Sequence, residues 1–91
     1  MSIEVHQERA AGVFSAVVDG ERCVLEYRLA GATMTITHTG VPAAVGGRGI
    51  AGELMRAALA AARAEGWKII PACSYARQYF DRHADQADLL A

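Results

Sequence analysis

The hydrophobic spacing of this chain changes once, and the change coincides with a cluster of glycines. Up to His38 apolar residues recur at every second position; after Pro42 they recur at every third or fourth. Period two marks strands with one buried face, and a period near 3.6 marks an amphipathic helix. Such a chain builds a sheet first and then lays a helix on it. Between the two regimes stands "GGRGIAG", residues 46–52, with four glycines and one arginine. Glycine costs roughly 0.5–1 kcal/mol relative to alanine inside a regular element, so something other than regular structure placed it there.

Four segments carry the alternation. "IEVHQER" alternates at Ile3, Val5 and Gln7, and "GVFSAVV" is short and β-branched. "RCVLEYRL" sets Val24, Glu26 and Arg28 against Leu25, Tyr27 and Leu29; "TMTITHT" sets Met34, Ile36 and His38 against Thr33, Thr35 and Thr37. Asp19-Gly20 is a hairpin signal and Gly31 marks another turn, so these strands are expected to form an antiparallel meander. After the glycines, Ile50, Leu54, Ala57, Ala58 and Ala61 form a helical stripe flanked by Met55, Leu59 and Ala62. Glu53, Arg56 and Arg63 lie off the stripe, and Gly66 stops the helix. "WKIIPA" predicts a short strand ended by Pro71, and "SYARQYFDRH" a brief helix with Ser74 as N-cap. "ADQADLLA" reads as a frayed tail or as a final turn packing Leu89 and Leu90. The expected fold is α/β of the α+β type. It has a mostly antiparallel, curved sheet of about five strands, a long helix after the glycine-rich loop and a short C-terminal helix.

Composition narrows the function. A chain of 91 residues is one domain, burying about 60–65% of the surface its unfolded form exposes. At 53% hydrophobic and 21% charged residues it has the make-up of a folded protein. A formal charge of -1 gives no overall field to gather a polyanion, which argues against nucleic acid as a partner; any anion must be held locally. Cys23 and Cys73 have no C-x-x-C spacing and the three histidines are scattered, so no metal set is expected. One bridge at most points to a reducing, cytoplasmic setting. No apolar run reaches the ~20 residues of a membrane span, and "MSIEVHQERA" lacks the basic-then-apolar order of a signal peptide.

A glycine-rich turn between a strand and a helix suits phosphate, because unpaired amides converge there and the helix dipole adds positive character. The competing reading is a tight turn with no ligand. The spacing is neither the P-loop, which requires Gly-Lys-Ser/Thr, nor G-x-G-x-x-G after a first strand.

"VPAAVGGRGIAGELMRAAL" resembles the acetyl-CoA-binding segment of the GNAT superfamily of N-acetyltransferases. The superfamily signature, Arg/Gln-x-x-Gly-x-Gly/Ala, falls here on Gly46, Gly47, Arg48, Gly49, Ile50 and Ala51. Gly46 departs from it, removing one side-chain contact to the pyrophosphate while keeping the backbone amides. His38-Thr39-Gly40-Val41-Pro42 and Pro71-Ala72-Cys73-Ser74-Tyr75 are similar to motifs of a minimal single-domain branch, and the likeness runs from Val24 to Phe80. The resemblance implies one acetyl-CoA-binding domain over residues 1–91. It implies pantetheine pairing at Val41, a pyrophosphate cradle over Gly46–Ala51, and a short helix, entered through Cys73 and Ser74, flanking the thiol end.

Acyl transfer from a thioester to an amine needs a deprotonated amine, a polarised carbonyl and a proton for the thiolate. In the superfamily motif Asn-x-x-Ala-x-x-Phe-Tyr the tyrosine donates that proton. Aligned on Ala76, this chain has Cys73, Tyr79 and Phe80 at the Asn, Phe and Tyr positions, so the usual acid is missing. Tyr79 replaces it only if the helix is rotated or bent, and Tyr75 is a comparable alternative. Cys73, between a strand and a helix start, is a candidate nucleophile, since that setting favours thiolate; the other reading is a small, inert, buried side chain. His38 is the candidate base for the amine or for Cys73, against a structural role. His6 and His83 read as surface groups, Cys23 and Trp67 as core, and Arg56, Arg63 and Lys68 as a solvated face. The expected activity is acetyl-CoA-dependent acetyl transfer to a small or peptidic amine, by a monomer or homodimer. The rivals are a non-catalytic module binding CoA or acyl-CoA, and an interaction domain. Larger relatives build the acceptor pocket from N-terminal helices; a chain opening directly into strands leaves it open or completed by a second subunit.

Overall fold

The computed structural model describes residues 3–91. The first alternating segment yields only a short strand, β1 (His6–Glu8), because Arg9–Ala11 turns as a 3-10 segment into β2 (Val13–Val18). Asp19 and Gly20 then join β2 to β3 (Glu21–Ala30) with φ of 50° and 77°. This is the type I′ pattern, whose twist matches that of the strands it connects. A turn at Gly31 leads to β4 (Thr33–Gly40), and the four strands pair in sequence order, each antiparallel to the last.

Helix α1 (Ile50–Glu65) crosses back so that β5 (Lys68–Pro71) lies parallel to β4. Its buried stripe is Ile50, Leu54, Met55, Ala58, Leu59 and Ala62, with Ala57 and Ala61 at its margin. The stripe is turned from the expected centre toward Met55 and Leu59, whose larger side chains bury more apolar area. It packs on the face formed by Phe14, Ala16, Cys23, Leu25, Met34, Ile36 and Ile69, all buried. The opposite face of the sheet is open to solvent at Val17 and Ile70, as antiparallel sheets allow.

Alternation fails at one point in β4. Glu26 pairs with His38 but Tyr27 pairs with Ile36, so Thr37 is an extra residue in a bulge. Beyond it every side chain changes face: His38 joins the side of Glu26, and Thr39 joins the side of Leu25. This corrects the expectation that His38 shares a face with Met34 and Ile36. Near the same point β5 leaves β4. The last pair is Ile36 with Pro71, and the Ala72 and Cys73 N–H groups both donate to the Ile36 carbonyl, at 3.0 and 3.1 Å. From Thr37 to Gly40, among the described residues, β4 pairs with β3 alone, leaving a gap on its other edge.

Helix α2 (Ser74–Arg82) follows, and the chain closes with a 3-10 turn over Ala84–Leu89. The tail is a packed turn. Leu89 is buried, Leu90 bridges to Ile69, and Arg63 holds Asp88 and Gln86. No helix among the described residues is long and apolar enough to cross a membrane.

Candidate active site

The 3-10 turn Ala43–Val45 seats Val45 in the core and delivers the chain to the glycines. Gly47 and Gly49 are left-handed, with φ of 78° and 76°. A Cβ on either would meet nothing within 4 Å. The handedness of the backbone, not crowding, therefore demands glycine, since other residues pay about 1–2 kcal/mol there. Gly49 is the N-cap of α1 and offers no side chain to its amides. The first turn, Ile50 to Gly52, lacks intrahelical acceptors for its N–H groups; Glu53 N–H is the first to bond back, to the Gly49 carbonyl at 3.1 Å. Ile50 anchors the turn by burying its side chain, while Gly46 to Gly49 lie exposed. Arg48 reaches sideways to Asp19 at 2.6 Å, tying the loop to the β2–β3 hairpin. An exposed pair of this kind contributes about 0–1 kcal/mol, so Arg48 can exchange Asp19 for another anion at little cost.

Cys73, not Ser74, is the N-cap of α2: its Sγ accepts from Ala76 N–H at 3.4 Å, and Ser74 is the first helical residue. Sγ also lies 3.6 Å from Thr39 Oγ1. The sulfur, half-buried, thus spans the mouth of the gap between β4 and the β5–α2 junction. Regular alternation in the sequence points Thr39 away from this side; the bulge at Thr37 turns it inward. His38 is exposed on the opposite face, its ring packed over Gly40, where a Cβ would stand 3.0 Å from Nε2. The structure therefore does not bring His38 and Cys73 together.

Tyr79 is buried, with its ring stacked on His83 at 3.9 Å, and it lines the groove between α1 and α2. Phe80 is core. Burial raises the Tyr75 phenol above its ordinary value. Val41 is half-buried against the core just past β4. Cys23 is fully buried, and burial raises its thiol pKa, which keeps it unreactive. Among the described residues, no group of three or more His, Cys, Asp or Glu side chains is placed to hold a metal ion.

A family model described as GCN5-related N-acetyl-transferase matches residues 13–89. The chain belongs to this family. The GNAT fold is also seen in its likeness to the NMR solution structure of a "GCN5-like putative N-acetyltransferase" from Staphylococcus aureus. That comparison has a TM-score of 0.74 at 27% identity, over 97% of this chain and 87% of the other. No curated protein matches the sequence. The GNAT match spans the bulge, the glycine loop and both helices, the elements that enclose the gap at Cys73.

Proposed function

We propose that this GNAT domain transfers an acetyl group from acetyl-CoA to a small or peptidic amine, with Cys73 at the acyl end. The reading rests on the uncapped start of α1, its amides bared by left-handed Gly47 and Gly49, set directly after the strand that parts from β5. Amides of residues 46–51 would hold the diphosphate, and Arg48 would add charge. The unpaired edge of β4 and the backbone at Val41 would pair with the pantetheine arm. Helix-end electrostatics contribute roughly 0.3–1 kcal/mol, up to about 2 in sheltered sites, whereas micromolar affinity needs about 8. Strand pairing and Arg48 must therefore carry much of the binding.

As substrate, acetyl-CoA supplies the activated thioester carbon. In the covalent route Cys73 Sγ bonds to that carbon as the carbon–sulfur bond to CoA breaks, and the Cys73 proton leaves with the CoA thiol. An amine then displaces Sγ, forming the amide, and one amine proton returns to sulfur. Ala76 N–H and the Thr39 hydroxyl position the sulfur throughout. His38 faces away from Cys73, so as base it would take the proton of an ammonium before the amine rounds the free edge of β4 to the acyl group. Tyr79, in the helix groove, has no part in these steps. Two free cysteines fit a reducing, cytoplasmic setting, and the domain would act as a monomer or homodimer.

CoA release across a panel of amines, with intact-mass analysis, tests the reading. An acetyl adduct that disappears in Cys73→Ala supports the covalent route. Turnover without an adduct supports direct transfer. Binding without turnover on any amine would leave a non-catalytic CoA module, and no binding at millimolar ligand would sink the coenzyme reading altogether.

A further inference from the structure

The groove between α1 and α2 is unused by these steps. It narrows to a cavity of about 160 Å³ whose lining includes Gly52, Arg56, Tyr75, Arg82 and His83. Gly52 lies two residues, about 3 Å of helix rise, beyond Ile50, so the cavity opens beside the last of the bared amides. The fold gives no reason for glycine at this position. It is not left-handed, and a Cβ there would meet nothing closer than Arg56 Nη1 and Tyr75 Oη at 3.8 Å. A Cβ at 52 would make only ordinary contacts and would project into the cavity.

The walls are rich in donors. Arg56 is paired with Glu53, the one carboxylate beside it. Arg82 makes no ion pair among the described residues. His83 Nδ1–H donates to the Tyr79 carbonyl at 2.8 Å, so in the neutral ring Nε2 is an acceptor and His83 borders the cavity without adding a donor. Burial keeps the Tyr75 phenol protonated, so it too donates. Convergent guanidinium and hydroxyl donors around a space of this size suit a phosphate monoester.

We propose that this cavity binds the 3′-phosphate of the coenzyme's ribose, with Arg82 as its principal partner and Arg56 and Tyr75 beside it, so that the domain selects CoA over dephospho-CoA. The inference rests on the coenzyme reading above. Arg77, on the same helix but outside the cavity lining, is the control for net charge.

Calorimetric titration of CoA and dephospho-CoA into the wild-type protein, Arg82→Gln and Arg77→Gln tests it, with circular dichroism verifying the fold of each exposed-site variant. The wild type is expected to bind CoA about tenfold more tightly than dephospho-CoA. Arg82→Gln should bring the two within about twofold by weakening CoA alone, and Arg77→Gln should preserve the preference. Equal binding of the two ligands to the wild type, or equal weakening of both by Arg82→Gln, would overturn the assignment while leaving the coenzyme reading intact. Failure of the wild type to bind either ligand would remove both.

Discussion

Gly49 and Gly52 lie three positions apart, yet alanine should move stability in opposite directions at the two sites. At Gly49 the backbone has φ of 76°. A Cβ there costs about 1–2 kcal/mol, offset by the roughly 0.4–1 kcal/mol that alanine gains from a less mobile unfolded chain, for a net loss of about 1 kcal/mol. Gly52 is in regular helix and its added Cβ would find ordinary contacts at 3.8 Å, so alanine should gain about 0.5–1 kcal/mol. For a domain of this size 1 kcal/mol shifts Tm by about 4–8 °C. Gly49→Ala should therefore melt several degrees below the wild type and Gly52→Ala several degrees above it. CoA affinity should fall in both, because each methyl enters space assigned to the ligand. Thermal unfolding followed by circular dichroism, paired with calorimetric CoA titration, reads both quantities. A Gly52→Ala protein melting below the wild type would refute the open surroundings of that residue. One that melts higher and binds CoA undiminished would refute the claim that the glycine is kept for a ligand.

Three further outcomes are expected. Leu54 is fully buried on α1, so Leu54→Ala should lower unfolding free energy in urea by about 2–5 kcal/mol; a loss below about 1 kcal/mol would mean that α1 does not anchor the core. Asp19→Asn should free Arg48 and raise affinity for inorganic pyrophosphate up to about fivefold at low salt, an advantage that disappears at high salt; no change at low salt would place Arg48 away from the anion. The Ser15 hydroxyl, and then Arg22, hold the Glu8 carboxyl below its ordinary 4.5. That contribution is present above pH 4.5 and is lost as pH falls through the lowered native value. The stability gap between wild type and Ser15→Ala should therefore be wider at neutral pH than in acid, and a gap independent of pH would contradict the linkage.

Which parts of this molecule can be read from its sequence follows from how local each signal is. Asp19-Gly20, the helix from Ile50 and the stop at Gly66 each depend on a few adjacent residues and form where the spacing places them, with only the centre of the buried stripe turned toward Met55 and Leu59. The glycine loop is legible for the same reason, since left-handed backbone at residues 47 and 49 needs glycine in the text itself. The bulge at Thr37 carries no such mark: Thr33, Thr35 and Thr37 alternate smoothly past it, and only the pairing of Glu26 with His38 reveals it. That single extra residue decides which side chain meets the sulfur, moving His38 to the open face and bringing Thr39 to Cys73. The cavity at Gly52 is hidden differently, because its walls combine Gly52 and Arg56 of one helix with Tyr75, Arg82 and His83 at the next, which no local spacing links. Chemistry in this domain is set where distant segments meet, at the parting of β4 from β5 and at the groove between α1 and α2. Both meetings arise because β5 leaves the sheet at Ile36: the departure opens the strand edge on one side and, through the turn at Cys73, brings α2 alongside the first turns of α1.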